Sequence, residues 1–134
     1  MIAVIDYGIN NSSSVVRMIE KVGGEVKRVC DPEDLKDASK LILPGVGHFD
    51  EGMKRLDSIG FREPLTKMIK ERNIPILGIC LGMQLLCRSS EEGDSSGLGF
   101  VAARVRSLDG EVRENLKIPH MGWNTLDVVK SNSL

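Results

Sequence analysis

A chain of 134 residues has room for one domain and little more. Its 18 Lys and Arg against 19 Asp and Glu leave a formal charge of −1, which argues against the basic footprint of a nucleic-acid or anionic-membrane binder. With 41% apolar and 28% charged residues the composition is globular and excludes a disordered chain, and the five aromatics (Tyr7, Phe49, Phe61, Phe100, Trp123) leave the core to aliphatic side chains.

The apolar run at residues 2–5, ended by Asp6-Tyr7-Gly8, reads as a buried strand and turn. Residues 10–14 offer several N-caps for a helix whose apolar positions are Val15, Met18, Ile19 and Val22, and Gly23-Gly24 stops it. Residues 25–30 form a second, more polar strand, and Asp31-Pro32 opens a short helical or irregular stretch through Ala38. Residues 40–43 make a third strand, closed by Pro44-Gly45-Val46-Gly47. Residues 49–56 and 61–70 carry apolar side chains three and four apart and read as two helices punctuated by Gly60. Residues 74–79 are a fourth strand, followed by Cys80-Leu81-Gly82 and a helix over 83–87. This alternation predicts parallel βαβ units, hence an α/β, doubly wound, mostly parallel sheet. Residues 88–97 are polar and rich in Gly and Ser, as in a mobile surface loop. Beyond them, residues 100–105 read as a strand, 111–118 are ambiguous, 119–124 form a turn-like cluster, and 126–129 suit a last strand.

No apolar run approaches the ~18 residues that span a bilayer, and the N-terminus lacks a signal-peptide pattern, so a cytoplasmic location is the default expectation. Cys30, Cys80 and Cys87 are odd in number and lack metal-ligand spacing, so neither a disulfide framework nor a bound metal is expected.

Gly78-Ile79-Cys80-Leu81-Gly82 carries the chemistry. It has the G-x-nucleophile-x-G form, follows an apolar strand and precedes a helix, which is the context that form requires. Small flanking glycines let helix and strand approach closely, and a strained turn projects the thiol from the end of the sheet. The positive end of the following helix favours thiolate, and the Leu81 amide is placed to donate to a developing oxyanion. An inert Cys in a small-residue turn is the bland alternative. For Cys30 and Cys87, a small apolar side chain is the better reading. Pro44-Gly45-Val46-Gly47 should lie at the same carboxyl edge, where its glycines allow backbone amides to face a bound group.

Four segments together resemble a known family: Asp6-Tyr7-Gly8 with Asn11; Leu43-Pro44-Gly45-Val46-Gly47-His48-Phe49; Gly78-Ile79-Cys80-Leu81-Gly82-Met83-Gln84; and Pro119-His120-Met121-Gly122-Trp123-Asn124. In order and content they are similar to the class I (triad) glutamine amidotransferases, and within them to the glutaminase subunits of imidazole glycerol phosphate synthase. The resemblance implies a flavodoxin-like three-layer fold and no cofactor. It implies that Cys80 attacks the carboxamide of L-glutamine, that the amides of Val46 and Leu81 form the oxyanion hole, and that Gly45, Gly47 and Gln84 shape or hold the glutamine site. It further implies a heterodimer in which ammonia passes to a cyclase barrel of histidine biosynthesis, with Asn11, His120, Met121, Trp123 and Asn124 near that interface. Related glutaminase subunits serving surface-sugar amidination, and a non-catalytic partner-binding protein, are the alternatives.

Two departures stand out. Asn10 occupies a position where the family usually has Gly, and Asn tolerates left-handed backbone well. The family's general base is a His in an H-P-E motif whose Glu orients it, and no such motif occurs here: the two histidines, His48 and His120, match other family positions. The expectation is therefore a single domain over 1–134 that is the N-terminal portion of an amidotransferase, lacking the His and Glu of the triad and impaired without them.

Overall fold

The computed structural model describes residues 1–108 and 121–131. The first apolar run forms β1 (Ile2–Ile5), followed by α1 (Ser12–Lys21), β2 (Val26–Val29) and a short 3-10 turn (Pro32–Asp37). Then come β3 (Lys40–Gly45), α2 (Phe49–Ile59), α3 (Arg62–Thr66) running into one π turn (Lys67–Glu71), and β4 (Ile76–Cys80). The described elements end with α4 (Leu81–Leu85) and two short strands, β5 (Ser89–Ser90) and β6 (Arg104–Val105).

The four longer strands make one all-parallel sheet in the order β2-β1-β3-β4. Because β2 and β3 lie on opposite sides of β1, the order reverses there and opens a crevice at the carboxyl ends of β1 and β3. Alternation divides the side chains between two faces. Ala3, Ile5, Val29, Leu41 and Leu43 face one way and form a single core with Phe49, Met53 and Leu56 of α2, Leu65 of α3, and Leu81 and Leu85 of α4. Val4 points to the other face and is fully buried outside that cluster, on the side where α1 packs against β1 and β2. Helices therefore cover both faces, as the doubly wound expectation requires. Farther along the second face, Leu77 and Ile79 of β4 remain exposed.

Three local expectations shift. The fourth strand runs on through Cys80, so α4 starts at Leu81 rather than Met83: the cysteine itself stands at the N-cap. Of residues 100–105 only Arg104–Val105 are strand, because β5, the partner they pair with, has just two residues. Residues 126–129 are not a strand; among the described residues they have no ladder partner to hold one. Asn10 makes no use of the left-handed region that Asn tolerates, since Asn73 and Cys80 are the only non-glycine residues at positive φ among those described. Asn10 instead ties the loop by its side chain, donating to the Ile5 carbonyl (3.2 Å) and accepting from the Ser12 amide (3.0 Å). The ambiguous segment at 111–118 lies outside the described residues.

Candidate active site at the carboxyl end of the sheet

Cys80 has φ +55° and ψ −121°, a backbone conformation that costs a side-chain-bearing residue of order 1–3 kcal/mol. Tight packing on both sides holds it there. A Cβ on Gly78 would come within 2.5 Å of Met83 Cα and 2.6 Å of Met83 N, and one on Gly82 would overlap the Leu43 carbonyl oxygen. The two glycines of the motif thus let α4 fold back onto β3 and β4, and the strand-to-helix turn ends with an exposed thiol. The backbone strain that the motif predicts is present.

In the parallel register of β3 and β4, Gly45 is the partner of Cys80. The Pro44–Gly47 segment therefore borders the cysteine, as its place at a strand's carboxyl end predicts. Gly45 is buried; Val46 and Gly47 are exposed, and Gly47 turns the chain at φ +102°. The Val46 amide donates to the Ile9 carbonyl at 3.2 Å, so it closes the loop after β1 in this structure. Leu81 contributes the first amide of α4, and Gln84 sits half-buried on the same helix. His48 caps α2, its Nδ1 accepting from the Asp50 amide at 3.3 Å.

Three features of the site escaped the sequence reading. Asp6 organises the first loop: its carboxylate accepts from the Gly8 amide (3.0 Å) and the buried Ser12 hydroxyl (2.7 Å) and pairs with Arg28 at 3.8 Å. The polar loop expected to be mobile is clasped to the start of α2. Glu92 accepts from the Phe49 amide (2.9 Å), while Asp50 accepts from the amides of Ser95 (2.9 Å) and Asp94 (3.3 Å). The Ser95 bonds come first among the causes that hold the Asp50 carboxyl below the usual carboxylate range. A Cβ on Gly93 would overlap that carboxylate, so the glycine is what lets the loop approach. Arg62 clamps the far end, donating to the carbonyls of Gly97 (3.0 Å) and Ser96 (3.2 Å) while pairing with Asp57. The sequence signal for this clasp was faint: three acidic residues in a run of Ser and Gly resemble any solvated loop. The third feature is Tyr7, completely buried against Gly45.

Asn11 is exposed at the N-cap of α1, and Met121, Trp123 and Asn124 are exposed as well, with Trp123 wholly in solvent. None of them packs in the described core, and His120 lies outside the described residues. Among the described residues no three His, Cys, Asp or Glu cluster in a way that could hold a metal, and no helix is long and apolar enough to cross a membrane. A hollow of about 530 Å³ lined by Ile2, Ile42, Pro75 and Leu77 lies at the amino ends of the strands, away from the cysteine.

Comparison with known proteins places this geometry in context. The family model described as glutamine amidotransferase class-I matches residues 3–132. A relative from Methanococcus maripaludis, called imidazole glycerol phosphate synthase subunit HisH 2, is 47% identical over 134 residues, covering 100% of this chain and 65% of its own length. A Campylobacter jejuni protein called imidazole glycerol phosphate synthase subunit HisH 1 is 48% identical, over 100% of this chain and 66% of its own. The chain thus spans just under two thirds of these relatives. A crystal structure titled glutamine amidotransferase superposes with a TM-score of 0.65 at 22% identity, covering 78% of this chain and 55% of the other, and so shares the fold.

Proposed function

The chain belongs to the class-I glutamine amidotransferase family, and from that premise we propose that Cys80 is the nucleophile of a glutaminase. Its thiolate attacks the carboxamide carbon of L-glutamine; the tetrahedral intermediate takes a proton from water onto its nitrogen and expels ammonia to leave a γ-glutamyl thioester, which is hydrolysed to glutamate with return of the thiolate. The observation that carries the reading is the strained, exposed Cys80 at a strand-to-helix turn opposite Gly45. The Leu81 amide at the start of α4 and the Val46 amide donate to the oxyanion, the latter exchanging its bond to Ile9 for the substrate. Gly45 and Gly47 shape the oxyanion loop, and Gln84 reaches glutamine from α4.

Similarity at 47–48% identity to proteins named as subunits of imidazole glycerol phosphate synthase supports the further reading that the whole protein is the glutaminase subunit of that synthase. On this reading ammonia passes to a cyclase subunit, and the exposed Asn11, Met121, Trp123 and Asn124, with His120, contribute to the docking face. The H-P-E motif that supplies the family's general base has no match in this sequence, and His48 is engaged as a helix cap. The test therefore uses the full-length protein with a cyclase partner. Glutamate release from glutamine is expected, stimulated by the partner and abolished by Cys80→Ala. Undiminished release by the Cys80→Ala protein would overturn the assignment.

A further inference from the structure

Tyr7 is the largest of the completely buried side chains in the described core. Among the described residues, its hydroxyl is the one buried side-chain polar atom with no hydrogen-bond partner. A phenylalanine would fill the same space without burying an unpaired oxygen, so the hydroxyl costs stability where it stands.

Its position suggests what that cost serves. A Cβ on Gly45 would overlap Tyr7 Oη and approach Gly82 N at 2.8 Å and Leu81 Cβ at 3.0 Å. The hydroxyl therefore sits in the seam between the end of β3 and the first turn of α4, against the residue whose register partner is Cys80. Burial first, and then negative charge at Cys80 and Asp6, push the phenol upward, so it stays protonated and remains a donor. Asp6 is already engaged by Gly8, Ser12 and Arg28, so it does not take the Tyr7 proton.

We propose that Tyr7 is a positioning residue of the Cys80 site, its O–H a donor held behind Gly45 for the negative charge that forms at Cys80. This rests on the reading of Cys80 as nucleophile. The hydroxyl is held against Gly45, and its dipole acts on the charge at Cys80 across that glycine.

The test is Tyr7→Phe in the full-length protein, in a Cys87→Ser background so that the tryptic peptide 73–88 carries a single thiol. Iodoacetamide alkylation of Cys80 is followed by mass spectrometry from pH 5 to 9, beside urea unfolding. Tyr7→Phe is expected to unfold at the same or a higher urea concentration, yet to alkylate at least threefold more slowly at pH 7, with the pH–rate profile moved to higher pH. An unchanged rate and profile overturn the inference and leave Tyr7 a packing residue. If Cys80 in the Tyr7 protein already reacts no faster than the exposed Cys30, both this inference and the nucleophile reading fall, and the two failures are thereby distinguished.

Discussion

Gly45 and Cys80 face each other as register partners at the carboxyl ends of β3 and β4, and Tyr7 Oη occupies the place a Gly45 side chain would need. Gly45→Ala should therefore push the phenol or α4 aside. Overpacking of this kind costs about 1–3 kcal/mol, expected as a lowered urea midpoint with the slope unchanged, together with slower alkylation of Cys80. A midpoint equal to wild type would show that the seam has slack.

The strain at Cys80 can be separated from its chemistry by two substitutions that both remove the thiol. Alanine retains a Cβ at φ +55°, whereas glycine does not. Cys80→Gly is expected to be more stable than Cys80→Ala by about 1 kcal/mol, and neither should release glutamate in the full-length protein. Equal stabilities would mean that the turn relaxes once the thiol is gone.

Gly82 should tolerate substitution less well than Gly45. The obstacle to its Cβ is the Leu43 carbonyl oxygen, a backbone atom of β3 that it would overlap, whereas the nearest atom at Gly45 is the tip of the Tyr7 side chain and the backbone there, Gly82 N, is farther off at 2.8 Å. Gly82→Ala is expected to cost about 3 kcal/mol or more, read as a larger midpoint shift than that of Gly45→Ala in the same urea series.

Acid should open the clasp on residues 91–97. The amide bonds from Ser95 and Asp94 depress the Asp50 carboxyl, and a group depressed in the folded state stabilises fully above its unfolded value of ~3.9. That contribution is lost as pH falls through the depressed folded value. Amide exchange at Asp94 and Ser95 should be slow at pH 6 and lose its protection below about pH 4. In Asp50→Asn, protection should already be weak at pH 6; protection equal to wild type there would place the hold on the loop elsewhere.

Sequence alone determined what depends on neighbours in the chain. The apolar runs at residues 2–5 and 40–43 became β1 and β3, the helical spacing at 49–56 became the body of α2, and Gly78-Ile79-Cys80-Leu81-Gly82 announced its own strained turn, because a strand, two glycines and a helix start are all local signals. Contacts between distant residues could be decided only by the tertiary structure. That Gly45 partners Cys80 follows from strand register, and that Tyr7 packs beneath Gly45 follows from the strand order. Glu92 reaches Phe49 across 43 residues, and Asp50 reaches Ser95 across 45, so nothing near either residue marks a clasp. Secondary structure is written in periodicity, whereas the environment of Cys80 is assembled from side chains and amides that meet only when the sheet and its helices have packed.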